Sequence, residues 1–96
     1  MQQTASVYIL ASRKNGTLST GISSDLTGRI YQHKRKLVQG FTQRYGVHQL
    51  VYYKCTHSIG AAIEREKQIK AGSRKKKIAL IEGVNPHWRD LYPDIL

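Results

Sequence analysis

The sequence predicts a small α/β (α+β) domain in which helices flank a mostly antiparallel, three-stranded sheet. Two runs rich in β-branched and aromatic residues are separated by Asn15-Gly16, the dipeptide most typical of a β-hairpin. A third such run lies at residues 50–55, and three segments with helical spacing complete the order β-β-α-β-α-α. The chain has 96 residues, the length of one domain, and we assign residues 1–96 to that domain.

The first two strands are predicted at Ser6–Ser12 and Thr17–Ser23. If the Asn-Gly dipeptide forms a two-residue turn, Lys14 pairs with Thr17, which determines the residues that share each face of the hairpin. The face expected to cover the core carries Val7, Ile9, Ala11, Leu18, Thr20 and Ile22. The other face, expected to lie outside the core, carries Tyr8, Leu10, Ser19 and Gly21. A strand glycine often marks the close approach of a ligand or another backbone.

The first helix is predicted at about Asp25–Leu37, because it opens on a Ser-Ser-Asp segment of helix-capping residues. Arg29 and His33 lie one turn apart on this helix, so their side chains share one face. The inner face is expected to carry Leu26, Ile30 and Leu37. Residues 38–49 contain two glycines and are expected to form mainly a loop.

Two further helices follow the third strand, each beginning after a serine that can cap it. The second helix is predicted from Ser58 to about Lys70, with Gly72 ending it. The third begins at Ser73 and is expected to close at Gly83. The C-terminal segment contains two prolines and the apolar residues Trp88 and Leu91, so we expect it to pack against the body.

The charge of the chain is strongly positive: 16 Lys and Arg against six Asp and Glu give +10 at pH 7. Such an excess attracts polyanions, and nucleic acid is the usual partner. A basic surface kept only for solubility is the alternative, although acidic residues serve solubility better. Charge alone does not distinguish DNA from RNA.

Other composition features exclude several classes of protein. Cys55 is the single cysteine, so no internal disulfide can form, and the four histidines lack the spacing of a structural zinc site. No apolar run approaches the roughly 20 residues of a membrane span, and the polar opening segment is unlike a signal peptide. We therefore expect a soluble, cytoplasmic protein.

Arg29 and His33 form the first candidate constellation. A guanidinium can bind the negative charge that gathers in a phosphodiester transition state, and a nearby histidine can orient the phosphate or move a proton. The alternative is an exposed basic helix face that continues into the solvated run Lys34, Arg35 and Lys36. That run is a candidate nucleic-acid contact.

Glu66 is the second candidate, because its position falls on the apolar stripe of the second helix. A buried carboxylate requires a partner. One carboxylate with several waters suits Mg²⁺ or Mn²⁺. The alternative is an ion pair with Lys70 one turn later.

Aromatic and basic residues supply the remaining candidates. Tyr8 shares its strand face with Ser19 and Gly21. Phe41 and several tyrosines could stack on bases, although core packing is the commoner role. The run Arg74, Lys75, Lys76 and Lys77 begins a helix, where positive charge opposes the helix dipole, which favours contact with phosphate.

Taken together, these segments resemble the GIY-YIG nuclease family, specifically its small stand-alone bacterial branch. VYIL, at residues 7–10, stands at the first family motif, and NGTLSTGISSDLTGRIYQHK, at residues 15–34, resembles the second motif and its helix. Five later segments are also typical of this branch: FTQRYGV, LVYY, AAIEREKQIK, RKKKIALIE and NPHWRDLY. The resemblance extends from Val7 to Tyr92.

The resemblance implies a divalent-metal-dependent endonuclease that acts on DNA. By it, Tyr8 would orient or activate the water, Arg29 would bind the phosphate with help from His33, and Glu66 would hold Mg²⁺ or Mn²⁺. Ser19 stands where the second motif has a tyrosine. Three hypotheses follow: an endonuclease that works without this tyrosine, an inactive nucleic-acid-binding module, and a basic structural protein of a ribonucleoprotein particle.

Overall fold

A computed structural model describes residues 4–96 and contains one antiparallel sheet of three strands, in which the first strand lies between the second and the third. The first three residues of the polar opening segment lie outside the described residues. The strands are β1 (Ala5–Ala11), β2 (Leu18–Ser23) and β3 (Gln49–Thr56). The helices are α1 (Leu26–Lys34), α2 (Phe41–Arg44), α3 (Ile59–Ala71), α4 (Arg74–Val84) and a 3₁₀ helix (Tyr92–Ile95). The predicted fold class is confirmed, while α2 and the 3₁₀ helix are additions that the sequence did not predict.

The hairpin between β1 and β2 has a longer loop than predicted. Ala11 pairs with Leu18, and the Ser12 N–H donates to the Thr17 carbonyl, which leaves residues 13–16 as a four-residue loop. Asn15 adopts the left-handed conformation within this loop, at φ +59°. The predicted pairing of Lys14 with Thr17 is wrong by two residues. Because a shift of two preserves the alternation of side chains, each face of the hairpin still carries the predicted residues.

The central strand β1 is buried on both faces, so the prediction that Tyr8 and Leu10 lie outside the core is wrong. Their exposed fractions are 3% and 0%. One face packs against α3 and α4 around Ile69 and Ile81. The other face packs against Ile30 of α1 and the C-terminal segment. A strand with a neighbour on each side and helices over both faces has no solvent-exposed face.

Helix α1 ends three residues before the predicted Leu37. The Lys36 N–H donates to the His33 carbonyl and the Leu37 N–H to the Gln32 carbonyl, which is a Schellman motif. Lys36 takes the left-handed position, at φ +57°, and ends the helix. Leu37 is therefore 66% exposed, and its predicted place on the inner face is wrong.

The start of α1 explains a glycine in its first turn. The Asp25 carboxylate caps the helix by accepting from the Gly28 N–H. A Cβ at Gly28 would lie 2.2 Å from an Asp25 carboxylate oxygen. The missing side chain therefore makes room for the cap.

Helices α3 and α4 begin as predicted, with the Ser58 and Ser73 hydroxyls accepting from backbone N–H groups in the first turn. The predicted stop of α4 at Gly83 is wrong, because the helix continues to Val84 and closes when Asn85 donates to the Ile81 carbonyl. In the part of the chain that the structure describes, none of the helices combines the length and apolar character that crossing a membrane requires.

Candidate functional site

A cleft of about 350 Å³ lies at the free edge of β2, and we call it the edge cleft. Consecutive residues 19–22 of this strand line it. Because side chains alternate along a strand, four consecutive residues present both faces of the sheet to the cleft. Groups from opposite sides of the sheet therefore meet here: Arg29 and His33 from α1, and Glu66 from α3.

The edge cleft brings together all five residues that the sequence indicated for catalysis or metal binding. They are Tyr8, Ser19, Arg29, His33 and Glu66. The basic candidates Lys34, Arg35, Lys36 and Arg74–Lys77 do not line it. The described structure thus separates a compact polar centre from the charged surface around it.

Gly21 allows the Tyr8 side chain to lie flat across β2. The two residues are directly opposite in the β1–β2 pairing. A Cβ at Gly21 would lie 2.6 Å from the Tyr8 hydroxyl oxygen and 2.7 Å from the ring carbon that bears it. The close approach suggested by a strand glycine is therefore that of the tyrosine itself, and it aims the hydroxyl at α1.

The Tyr8 hydroxyl, His33 and Thr42 form a chain of polar contacts. The Tyr8 oxygen lies 3.3 Å from His33 Nε2, and His33 Nδ1 lies 3.2 Å from the Thr42 hydroxyl oxygen. Thr42 belongs to α2, in the segment expected to be mainly loop. The sequence did not indicate Thr42, because a threonine nine residues after a histidine matches no local pattern.

Burial determines the protonation of Tyr8 and His33. It raises the pKa of Tyr8, and the neighbouring Glu66 charge adds to the rise, while Arg29 beside the hydroxyl opposes it. Burial also lowers the pKa of His33, and the Arg29 charge lowers it further. At neutral pH the hydroxyl therefore keeps its proton and the imidazole is neutral. In the tautomer with the proton on Nδ1, the Tyr8 hydroxyl donates to Nε2 and Nδ1 donates to Thr42.

Arg29 presents a cation to the edge cleft. Its guanidinium donates to the Gln32 side-chain oxygen at 3.3 Å. In residues 4–96, the carboxylates that form ion pairs belong to Glu66, Asp90 and Asp94, and none of them pairs with Arg29. A guanidinium without a carboxylate partner can bind an incoming phosphate.

Glu66 both lines the cleft and forms the ion pair with Lys70 that the sequence offered as an alternative. The Lys70 Nζ lies 3.4 Å from a Glu66 oxygen, and the Glu66 side chain is 20% exposed. The described residues contain no group of three or more His, Cys, Asp or Glu side chains that could surround a metal. One carboxylate, in a cleft that Ser19 and Thr20 also line, suits a cation that keeps most of its waters, as Mg²⁺ does.

Two of the predicted nucleic-acid contacts have partners within the fold. Lys34 donates to the Asp90 carboxylate and the His48 carbonyl. Arg74 donates to the carbonyls of Asn15 and Gly16 and so holds the hairpin loop. The other five residues, Arg35, Lys36, Lys75, Lys76 and Lys77, are exposed or half-buried.

The sequence matches a known protein family over most of its length. A family model described as the GIY-YIG catalytic domain matches residues 4–79. A UPF0213 protein of Staphylococcus saprophyticus is 36% identical over 75 residues, which cover 78% of this chain and 90% of that protein. A UPF0213 protein of Staphylococcus aureus is 36% identical over 77 residues, covering 79% and 92%.

A solved structure agrees with these sequence matches. The solution NMR structure of a UPF0213 protein from Bacillus halodurans is similar with a TM-score of 0.57 and 29% identity. The similarity covers 91% of this chain and 92% of that one. Fold and sequence therefore point to the same group of small proteins.

Proposed function

Because this chain belongs to the GIY-YIG family, we propose that it is a divalent-metal-dependent endonuclease that hydrolyses phosphodiester bonds in DNA. The observation that carries the proposal is the edge cleft, where Tyr8, Arg29, His33 and Glu66 converge from three different elements. The net charge of +10 supports a polyanionic substrate.

Arg29 binds the scissile phosphate in this proposal. Its guanidinium has no carboxylate partner in residues 4–96, so phosphate binding breaks no existing ion pair. Hydrolysis adds negative charge to the non-bridging oxygens, and a guanidinium already held in place stabilises that charge without reorganising.

Tyr8 and His33 move the proton of the attacking water. Since the Tyr8 hydroxyl is protonated, it accepts a proton from water only while giving its own to His33 Nε2, 3.3 Å away. The lowered pKa of His33 keeps the imidazole neutral and ready to accept. Thr42 accepts from Nδ1 and holds the ring so that Nε2 faces the tyrosine.

Glu66 would hold the metal through its carboxylate, with Mg²⁺ or Mn²⁺ retaining waters at its other positions. When bound, such an ion neutralises phosphate charge and acidifies a coordinated water. Lys70, now paired with Glu66 at 3.4 Å, is 56% exposed and can swing into solvent when the cation binds.

Ser19 favours a second candidate function, an inactive nucleic-acid-binding module. It pairs with Leu10 and faces the edge cleft, at the place where the family's second motif has a tyrosine. A serine has neither the reach nor the acidity of a phenol. Such a module would keep the phosphate contact of Arg29 and the basic surface while lacking turnover.

A cleavage assay separates the two functions. Single-stranded, duplex and branched DNA are incubated with Mg²⁺ or Mn²⁺ and wild-type protein, Arg29→Ala or Glu66→Gln. Matched controls with the same charge change are Arg13→Ala and Glu64→Gln, since both residues are exposed and outside the cleft. We expect wild-type cleavage that falls roughly 100-fold or more in Arg29→Ala, in line with the loss of one electrostatic donor. Glu66→Gln should lose metal-dependent cleavage, and both controls should retain it.

The Ser19→Tyr variant completes the test. No cleavage by wild type, with cleavage restored by Ser19→Tyr, would contradict the endonuclease proposal and establish the binding module. Wild-type cleavage that Arg29→Ala leaves intact would contradict the assignment of the edge cleft as the active site.

A further inference from the structure

Two half-exposed aromatic rings lie beside the edge cleft. Phe41 and Tyr45, one turn apart on α2 and its C-terminal cap, are 53% and 51% exposed. Their ring centroids are 4.9 Å apart and the rings are tilted by 47°. We call this pair the aromatic platform. Core packing is the commoner role of such rings, but about half of each of these two side chains is exposed and within reach of a ligand.

Glycines in the left-handed region lie on both sides of the platform. Gly40 and Gly46 flank it with φ values of +102° and +64°, and a Cβ at either would meet nothing within 4 Å. These glycines are therefore required for conformation rather than for space. Thr42 lies within the same short helix and contacts His33 at 3.2 Å, so the helix that carries the platform is joined to His33.

The charge around the platform selects a polyanion. Phe41 lines the edge cleft together with Arg29, and the Arg44 guanidinium lies 5.8 Å from the centre of the Tyr45 ring. Residues 26–63 contain no Asp or Glu. The same stretch contains Arg29, Lys34, Arg35, Lys36, Arg44 and Lys54. Glu66 is the one carboxylate among the described residues that line the cleft with Phe41 and Arg29. An exposed aromatic pair in a stretch whose charged residues are all basic matches the way proteins bind unpaired nucleotides, with rings against bases and cations against phosphates.

Building on the proposed function, we propose that the aromatic platform stacks an unpaired base next to the phosphate bound at Arg29. Inside a continuous duplex, both faces of a base are covered by its neighbours, so a protein ring can stack on it only after the base leaves the helix. The substrate class is therefore DNA with an unpaired nucleotide at the cleavage point, such as a single strand, a flap or a branch.

Binding without metal tests the platform separately from cleavage. A single-stranded oligonucleotide containing 2-aminopurine, whose fluorescence falls on stacking, is titrated with wild type, Phe41→Leu and Tyr45→Leu in EDTA. Leucine keeps an apolar side chain and removes the ring. Tyr31→Leu is the matched control, because Tyr31 is 49% exposed on α1 and does not line the cleft. We expect wild type to quench the probe and each platform variant to bind roughly 5-fold to 100-fold more weakly. The control should behave as wild type.

The outcomes separate the platform from the nuclease proposal when the same DNA is then incubated with Mg²⁺. Normal affinity and quenching in Phe41→Leu and Tyr45→Leu would overturn the platform and leave this surface to a protein partner. If those variants also cleave single-stranded DNA and duplex DNA at equal rates, the nuclease proposal stands and the platform proposal fails. Quenching by wild type that Phe41→Leu and Tyr45→Leu lose, with no cleavage by any of the proteins, would overturn the nuclease proposal and support the platform.

Discussion

Replacing Gly21 with alanine should damage both stability and activity, because the new methyl group would collide with Tyr8. The Cβ would lie 2.6 Å from the Tyr8 hydroxyl oxygen, whereas ordinary contact begins at 3.4 Å, a shortfall of 3.4 − 2.6 = 0.8 Å. Tyr8 is only 3% exposed, so neighbouring core residues resist a shift of this size. The hydroxyl is also 3.3 Å from His33 Nε2, and moving it would disrupt that contact.

The expected cost follows from overpacking of a core. Extra methyl groups in well-packed cores typically destabilise by about 1–3 kcal/mol. For a domain of this size, each kcal/mol lowers Tm by roughly 4–8 °C. Cleavage should fall as well, since small misplacements of a positioned group can cost about 100-fold in rate.

The assay pairs urea unfolding with the cleavage measurement, and Gly83→Ala is the control. Gly83 lies in α4 with nothing within 4 Å of its Cβ position, so alanine there should stabilise the protein by up to about 1 kcal/mol. Combining Gly21→Ala with Tyr8→Leu removes the colliding ring, so the two changes should cost less together than the sum of their separate effects. A Gly21→Ala protein with wild-type stability and cleavage would refute this account of Gly21.

Three further predictions concern the groups around the cleft and the C-terminal segment. Thr42→Val should lower kcat about tenfold with little change in KM, since Thr42 only positions His33, and Thr42→Ser should restore the rate; an equal loss in both variants would contradict this role. Burial lowers the pKa of His33 in the folded state, so the unfolded chain binds the proton first as pH falls. Urea unfolding should therefore show that the free energy of unfolding decreases below about pH 6.5, and His33→Gln should flatten that dependence. Asp90→Asn should destabilise by about 1–3 kcal/mol, because Lys34 and the Leu50 N–H lose a carboxylate partner; unchanged thermal unfolding would show that this contact contributes nothing.

Asp90, like His33, should make the protein less stable as the pH falls, but the cause of its pKa shift is different. Burial alone would raise the pKa of Asp90, yet hydrogen bonds from Lys34 and from the Tyr92 and Leu50 amides together lower it. A carboxyl group whose pKa is lower in the folded state stabilises the fold at pH values above its unfolded pKa. That stabilisation is lost as the pH falls through the folded-state pKa. Both groups therefore make the protein less stable in acid, Asp90 at lower pH than His33.

Local patterns in the sequence determined the three strands, the three longer helices and the residues that share each face of the hairpin. Alternation predicted the two faces of the hairpin, and that prediction survived a wrong loop length because a shift of two residues preserves the alternation. The serines before α3 and α4 were assigned correctly because a cap bonds to its own first turn. The end of α1 was missed because Lys36, rather than a glycine, takes the left-handed position there.

The meeting of the site residues was decided by tertiary structure. The sequence indicated Arg29 and His33 as a pair on one helix face and Tyr8 and Glu66 separately, and the resemblance to a family linked them. Their approach depends on β2 being an edge strand, so that α1 and α3, on opposite faces, both reach the same cleft. Thr42 and the exposure of Phe41 could not be predicted, since both depend on how α2 docks. Local sequence determines which way a side chain points along its own element, but the neighbours of that side chain depend on long-range packing, which no local pattern encodes.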